Sequence, residues 1–249
     1  MTAAHAKPPV VTGGITFGAT PGGGGKAVVD AMVAALDPTN VREYQDAMGL
    51  YVPLTLPHMF SRPVLKGGTF AAALAAAAKL PDVPGLIHYV GVDHEYNIAP
   101  GATPAAHQRN QAAWIAGVRG INRSRKQPLL TQWIATGSVM HGGMANMDPW
   151  YVPVDRMGWD IYDPHVIPLC AAYAQVKGKP WDIGELGLSV HYAGTDDELV
   201  TAMDYMVGLL RQHYPPGRVD WYNGGLNRIV GGTRPKAVAR WLQYTGGQA

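Results

Sequence analysis

The chain has few charged residues and only one cysteine. Charged side chains make up 15% of its 249 residues, and the formal net charge is +2. Nucleic-acid binding needs a block of Lys and Arg to neutralise phosphates, and the sequence has none, so we expect no nucleic-acid partner. A single cysteine, Cys170, excludes an intrachain disulfide. Its apolar neighbours favour a core position over a nucleophile.

Long apolar segments are missing as well. No run approaches the roughly 18 apolar residues of a membrane span, so we expect no membrane contact. The first residues lack the apolar centre of a secretory signal. Any extracellular role is therefore expected to need a non-classical export route or a place in a virion. Residues 1–12 are predicted to form a flexible N-terminal arm. Neither the compartment nor the oligomeric state follows from the sequence.

Two common ligand-binding patterns are incomplete. The nine His residues form neither a His-Glu-x-x-His motif nor a paired Cys/His spacing, so no metal and no cofactor are predicted. The Gly-rich segment 18–27 looks like a phosphate-binding loop. However, Thr20 stands where the first Gly is required, and Ala27 replaces the Ser or Thr that binds magnesium. We interpret the segment as a loop at the mouth of the fold.

Strand-like and helix-like segments alternate along the chain. The predicted strands are residues 15–18, 41–44, 52–56, 85–92, 128–134, 157–162, 181–184 and 219–222. The predicted helices are residues 26–36, 69–80, 104–123, 166–176, 198–213 and 235–244, and 137–154 is predicted to be a loop. This alternation predicts an α/β fold with a parallel sheet. Eight strands in about 250 residues predict a single (β/α)8 TIM barrel over residues 1–249.

Two glutamates follow apolar, strand-like runs. Glu95 comes after the fourth predicted strand and Glu185 at the end of the seventh. The loops that follow barrel strands gather at one face, so the two carboxylates are expected to lie close together. Such a pair is the minimal equipment for glycoside hydrolysis, with one group as acid and the other as nucleophile or base. An isolated Glu would instead be interpreted as a solvated loop residue or a helix cap.

Three short motifs resemble those of a known family. Residues 94–97 read His-Glu-Tyr-Asn, residues 155–162 follow the pattern Asp-x-x-Gly-x-Asp-x-Tyr, and residues 184–187 read Gly-Glu-Leu-Gly. In order and position they resemble the clan A retaining glycoside hydrolases, and most of all family 26, the β-mannanase-like group. The resemblance implies a (β/α)8 barrel, a polysaccharide or oligosaccharide substrate, an acid/base at Glu95 and a nucleophile at Glu185.

Other side chains are expected around the two glutamates. The resemblance implies that Tyr162 donates a hydrogen bond to Glu185. His94 and Asn97 are expected to orient Glu95 or a sugar hydroxyl group.

Four further residues are candidates for substrate binding. Trp221 and Trp133 lie on predicted strands, where an indole face can stack on a sugar ring, although Trp is equally common in barrel packing. Asp160 is expected in the site, or as a structural group bonded to loop backbone. Arg42 is expected at the floor of the cleft, or as a brace within the barrel.

The sequence leaves two other functions open. One is a catalytically inactive carbohydrate-binding structural module, for example in a phage tail or a cell-surface assembly. The other is a barrel enzyme for phosphorylated metabolites, which predicts a Gly-rich phosphate site near residues 223–226 and 229–233. A module that only binds has no need for two carboxylates. The pair therefore favours an enzyme, and the resemblance implies a retaining endo-β-glycosidase acting on a mannan-like polysaccharide or a cell-wall glycan.

Overall fold

The computed structural model is an α/β structure in which parallel strands alternate with helices. It describes residues 15–21, 25–36, 41–44, 58–62, 70–188, 194–213, 216–223, 229–231 and 234–245. None of the helices in these ranges is both long enough and apolar enough to cross a membrane.

The strands follow the order of the chain in one curled parallel sheet. They are β1 (Thr16–Pro21), β2 (Val41–Tyr44), β3 (His58–Arg62), β4 (Tyr89–Val92), β5 (Leu130–Thr136), β6 (Arg156–Ile161), β7 (Trp181–Leu186) and β8 (Arg218–Asn223). Strands β4 to β8 are five successive neighbours. Strand β1 pairs with β8 over its whole length, and β2 and β3 continue the order from β1 to β4. The ends of β4 and β7 therefore belong to one sheet.

Helices follow most of the strands. In the described ranges they are α1 (Gly25–Leu36), α2 (Phe70–Ala78), α3 (Pro104–Asn122), the short α4 (Met144–Met147), α5 (Ile167–Val176), α6 (Asp196–Gln212) and α7 (Pro235–Thr245). Short 3₁₀-helices lie at Tyr96–Ile98, Gly137–Gly142, Asp148–Trp150 and Pro164–Val166. The segment 137–154 therefore contains short helical turns where a plain loop was predicted.

The third strand of the described sheet was not predicted from the sequence. Strand β3 is His58–Arg62, whereas the apolar pattern pointed to residues 52–56, which lie outside the described residues. Met59 of β3 is opposite Arg42 of β2 and opposite Tyr89 of β4. Backbone pairing with both neighbouring strands therefore identifies β3.

Side chains along β6 alternate between the two faces of the curled sheet, one packed against the helices and the other on the inside of the curl. On β6 the side chains of Met157, Trp159 and Ile161 are fully buried. Trp159 makes an edge contact with Tyr173 of α5, with ring centroids 6.1 Å apart. These apolar residues lie between the sheet and the helices, and burying each contributes about 1.5–3 kcal/mol. The alternate position, Asp160, faces the other way.

A buried ion pair occupies the sheet interior near the N-terminal ends of the strands. Arg156 donates from Nε and Nη2 to the two carboxylate oxygens of Asp182, each at 2.6 Å. Asp182 also accepts bonds from Gln132 Nε2 at 2.8 Å and from the backbone N–H of Arg218 at 2.9 Å. Several donors on one buried carboxylate offset the large cost of removing it from water. The buried charges at the N-terminal ends of the strands therefore stabilise the sheet.

Candidate active site

The backbone turns sharply after β4. Asp93 and Glu95 both have left-handed conformations, with φ of 56° and 48°. This conformation is uncommon for residues other than Gly, and the surrounding structure must offset its cost. The backbone N–H of Glu95 donates to the carbonyl of Ile134 at 3.0 Å, and the Asp93 carboxylate accepts a bond from Asn110 of α3 at 3.0 Å. These contacts hold Glu95 at the C-terminal end of the strands.

Asn97 ties the same turn to the loop after β5. Its Oδ1 accepts a hydrogen bond from the backbone N–H of Thr136 at 3.1 Å. This contact spans two neighbouring loops at the C-terminal face. Asn97 therefore helps to hold the turn that carries Glu95.

Asp160 and Glu185 meet across the pairing of β6 and β7. Asp160 is opposite Glu185, directly after an irregularity in register between Trp159 and Asp160. Both side chains are buried, Asp160 completely. The hydroxyl of Tyr162, just beyond the end of β6, donates a hydrogen bond to Glu185 Oε2. Glu185 is thus a buried carboxylate with a phenol donor.

His94 links the β4 turn to these two carboxylates. Its Nε2 is hydrogen-bonded to Asp160 Oδ2 and lies 3.9 Å from Glu185 Oε1. The imidazole is only 15% exposed. The ends of β4, β6 and β7 therefore converge on one small volume.

Tyr222 of β8 belongs to the same group. Burial raises the pKa of its phenol above the usual value, and the negative charges of Glu185, Glu95 and Asp160 raise that pKa further. Its ring makes an edge contact with the ring of Tyr162, with centroids 5.8 Å apart. A neutral phenol therefore lies within electrostatic reach of all three carboxylates.

The two glutamates have different surroundings. Glu185 is 5% exposed and accepts the Tyr162 hydrogen bond. Of these two features, the phenol donor is the one that stabilises a charged carboxylate. Glu95 is partly exposed and stands on a turn. Carboxylates in unlike environments can act as acid and nucleophile in the same site.

Trp133 and Trp221 do not line the site. Both are fully buried. Trp221 packs on Trp241 of α7, with ring centroids 5.4 Å apart, and Trp133 donates its indole N–H to the carbonyl of Val152 at 3.2 Å. The prediction that these indoles face a sugar is therefore wrong, because both belong to the core between sheet and helices. Arg42 lies on β2, but its side chain is outside what the structure describes, so its role stays a prediction.

Sequence reasoning missed Tyr222, although a signal for it was present. On β8 the apolar residues Val219 and Trp221 alternate with Asp220 and Tyr222. Successive side chains of a strand point to opposite faces, so Tyr222 lies on the same, inward-facing side of β8 as Asp220. Trp221 was predicted instead, because an indole ring often stacks on a sugar.

One group in the described part of the chain could hold a metal ion. His94, Glu95 and Asp160 each offer a ligand atom, and these atoms lie within 4.8 Å of one another. One imidazole with two carboxylates suits zinc and similar divalent ions. The two-carboxylate chemistry of glycoside hydrolysis needs no metal in this position.

Solved structures of known proteins share the architecture of this chain. A mannanase from Cellulomonas fimi, an endo-beta-1,4-mannanase double mutant, matches with a TM-score of 0.63 and 15% identity over 93% of this chain and 70% of its own. The catalytic domain of a GH26 endo-beta-1,4-mannanase from Bacillus sp. JAMB-750 matches with a TM-score of 0.63 and 13% identity, covering 93% of this chain and 85% of that one. A GH113 beta-mannanase from Alicyclobacillus acidocaldarius gives a TM-score of 0.59 and 12% identity, over 95% of this chain and 100% of that one.

The fold is that of these mannanases. The resemblance predicted from the three motifs is therefore confirmed at the level of the fold. No protein-family model matches the chain, and no curated protein sequence matches it significantly.

Within the mannanase fold, the structure brings together five of the residues singled out from the sequence, while Asn97 holds the turn that carries two of them. The five are His94, Glu95, Asp160, Tyr162 and Glu185. They come from the ends of β4, β6 and β7, and the buried ion pair of Asp182 lies at the opposite end of the same strands. The group is therefore a candidate active site at the C-terminal face.

Proposed function

We propose that the chain is a retaining endo-β-glycosidase with Glu95 as acid/base and Glu185 as nucleophile. The observation that carries this proposal is the contact of His94 with Asp160 and its 3.9 Å approach to Glu185, directly beside Glu95. It supports a site in which two glutamates from different strands act on one glycosidic bond. Glycosidases of the retaining type need such a pair, with carboxyl groups about 5–5.5 Å apart.

The reaction takes place in two steps. In the first, a carboxylate oxygen of Glu185 attacks the anomeric carbon while the carboxyl of Glu95 gives its proton to the leaving glycosidic oxygen. The bond to the leaving sugar breaks and a glycosyl ester of Glu185 forms. In the second, the Glu95 carboxylate takes a proton from water, and the water oxygen attacks the anomeric carbon. The ester bond breaks, Glu185 is released as a carboxylate, and the product keeps the original anomeric configuration.

The neighbouring side chains support these roles. The Tyr162 hydroxyl favours the ionised form of Glu185 before attack. Asp160 is hydrogen-bonded to His94, which lies on the β4 turn next to Glu95 and approaches Glu185. Together they fix the position of the β4 turn relative to the nucleophile. The Tyr222 phenol stays protonated at neutral pH, so it is available as a donor to a bound sugar.

The substrate proposed is a β-linked, mannan-like polysaccharide. Two of the similar solved structures are described as endo-beta-1,4-mannanases and one as a beta-mannanase. Their similarity to this chain lies in the fold. Mannan is therefore the first substrate to test, followed by other β-linked glycans.

We further propose that residues 1–249 form one complete (β/α)8 barrel. The strand order from β1 to β8, the pairing of β1 with β8 and the mannanase fold support this architecture.

A phosphate site after β8 has less support. Asn223 Oδ1 accepts hydrogen bonds from the backbone N–H groups of Ile229 at 2.9 Å and Val230 at 3.0 Å. Backbone amides of this loop are the usual ligands of a phosphate group, and these two are already used.

The proposal is tested by digestion of purified β-mannan, β-glucan, xylan and bacterial cell-wall glycan. New reducing ends should appear on at least one of them, and Glu185→Gln and Glu95→Gln should each reduce the rate by on the order of 10³-fold or more. Equal rates for the wild type and Glu185→Gln would contradict the proposed mechanism. Binding without turnover of any glycan would favour the structural module.

A further inference from the structure

Two aromatic rings are stacked directly behind Glu95. Tyr96, the next residue, lies with its ring on the imidazole of His107 from α3, with centroids 3.4 Å apart and planes at 15°. Both side chains are fully buried. The edge of Trp133 and the tilted ring of Trp150 enclose Tyr96, with centroids 6.0 and 5.5 Å away. We refer to the rings of His107 and Tyr96 as the His–Tyr stack.

Histidine is an energetically unfavourable residue at position 107. Among the residues that the structure describes, neither nitrogen of His107 has a hydrogen-bond partner, nor does the Tyr96 hydroxyl. Burying polar groups without partners costs free energy, and an apolar side chain would avoid that cost. Burial lowers the pKa of His107 from 6.5 to about 3. The imidazole is therefore neutral at working pH, and its contribution is a flat ring rather than a charge.

The stack lies next to a strained backbone. Glu95 has a φ of 48°, a conformation that is unfavourable for a residue other than Gly and persists only when its surroundings hold it. On one side the Glu95 N–H is bonded to Ile134 of β5. On the other side the chain continues into Tyr96, whose ring is held between His107 and the indoles. The conformation of Glu95 is thus fixed through its backbone bond and through its neighbour's side chain.

Helix α3 provides a rigid support for this arrangement. Its first turn is capped, because Thr103 Oγ1 accepts a bond from the Ala106 N–H at 3.2 Å. Further along the helix, Gln111 Nε2 donates to the carbonyl of Val92 at 3.0 Å, and Trp114 Nε1 donates to that of Val90 at 3.2 Å. The helix that presents His107 is therefore bonded directly to β4, the strand that ends before Glu95.

We propose that His107 is a positioning residue for Glu95 and acts through the His–Tyr stack. The inference rests on the proposed function, in which Glu95 is the acid/base. Proton transfer to a leaving oxygen requires heavy atoms within roughly 2.6–3.2 Å, so a small displacement of Glu95 reduces acid catalysis. Loss of the stack lets the strained turn relax, and the carboxyl group moves with it.

The first test does not depend on turnover. The chain contains four glutamates, Glu43, Glu95, Glu185 and Glu198, so ¹³C labelling of glutamate carboxyl groups gives four NMR signals. Glu→Gln variants assign them. In His107→Leu the Glu95 signal should shift or broaden, while the signal of Glu198, which caps α6, stays in place. His107→Phe keeps a flat ring and should leave the Glu95 signal near its wild-type position.

Two other variants control for folding and general destabilisation. Val118→Ala removes a buried side chain from the same helix, in the cluster with Ala73 and Leu129, and should leave the Glu95 signal unchanged. If His107→Leu does not fold, His107→Met is the milder substitution, because its flexible chain fills the space without a flat ring. An unmoved Glu95 signal in a folded His107→Leu or His107→Met would overturn the proposal.

The second test measures how much acid assistance remains. A dinitrophenyl glycoside has a leaving group that needs no proton, whereas a glycan needs one. In His107→Leu, kcat/KM for the glycan should fall by about 10- to 100-fold, with little change for the dinitrophenyl substrate. An equal loss on both substrates would overturn the positioning role. If the wild type cleaves neither substrate, the proposed function fails, and the NMR result still decides whether His107 positions Glu95.

Discussion

Asp160 and Glu185 are opposite each other on β6 and β7, directly after an irregularity in the pairing of the two strands. Upstream of it Trp159 is opposite Ile183, so β7 contains one extra residue before Glu185. An extra residue of this kind turns the following side chain to a new direction. Glu185 consequently lies next to Asp160, within 3.9 Å of His94 and in contact with Tyr162. The candidate nucleophile therefore depends on a local distortion of β7 for its position.

The Tyr162 hydrogen bond to Glu185 gives the first prediction. Tyr162→Phe removes a donor that favours the ionised carboxylate, and a hydrogen bond to a charged group contributes about 1.5–3 kcal/mol. We expect kcat/KM to fall by about 10- to 100-fold, and the acidic limb of the pH–rate profile to move to higher pH. Tyr205→Phe, on the exposed surface of α6, is the matched control and should change neither quantity. An unshifted acidic limb in Tyr162→Phe would show that the Tyr162 hydroxyl does not influence the ionisation of Glu185.

Burial of His107 predicts a loss of stability in acid. Its pKa is about 3 in the folded protein and 6.5 in the unfolded chain, so below pH 6.5 the unfolded chain binds a proton that the folded protein does not. Stability therefore falls as the pH falls from 6.5 towards 3. Between pH 7 and pH 4 this residue should cost the wild type roughly 3 kcal/mol.

His107→Phe isolates that contribution, because phenylalanine does not titrate and the carboxylates are common to both proteins. Urea unfolding at pH 7 and pH 4 should show a smaller loss of the free energy of unfolding for His107→Phe, by roughly 3 kcal/mol. Parallel losses in the two proteins would show that the imidazole is already protonated in the folded state at pH 4.

The buried ion pair of Arg156 and Asp182 predicts a large effect on stability. Asp182→Ala leaves the Arg156 guanidinium without its buried partner and removes the acceptor for Gln132 and for the Arg218 backbone. We expect the free energy of unfolding to fall by about 3–5 kcal/mol.

An exposed ion pair provides the control for that measurement. Asp197→Ala breaks the surface contact with Lys236, in which Asp197 is 73% exposed, and should cost less than about 1 kcal/mol. Urea unfolding at neutral pH compares the two variants. Equal costs would show that the burial of Asp182 adds nothing to the ion pair.

The group of His94, Glu95 and Asp160 predicts inhibition by zinc. A bound Zn²⁺ would occupy the Glu95 carboxyl, which must carry a proton in the first step. We expect full activity after dialysis against EDTA, and a loss of activity on adding Zn²⁺ that EDTA reverses. The inhibition should weaken as the pH falls, because the imidazole of His94 must lose its proton to bind. Activity lost to EDTA and restored by a metal would require a different mechanism.

The arrangement of strands and the two glutamates followed from the sequence because both depend on local signals. Seven predicted strands overlap the observed ones, and Glu95 and Glu185 lie at the ends of β4 and β7. β3 did not follow, because its position depends on pairing with β2 and β4 and not on its own apolar pattern.

The aromatic contacts of the site were harder to predict than its carboxylates. Trp133 and Trp221 are in the core, and Tyr222 takes the place at the site that had been assigned to an indole. A Trp side chain can pack in the core or bind a sugar. For Trp221, only the alternation of apolar and polar residues along β8 distinguishes the two roles. The stacking of His107 on Tyr96 joins a helix to a turn, and no pattern in either segment indicates it.

The most direct test of the proposed mechanism is time-resolved ¹H NMR of the anomeric protons during digestion of β-mannan by the wild type and by Glu185→Gln. We predict that the β-anomer appears first, that the α-anomer follows only by slow mutarotation, and that Glu185→Gln forms neither. Initial formation of the α-anomer would contradict a nucleophilic Glu185, and so would a β-anomer formed at an equal rate by Glu185→Gln.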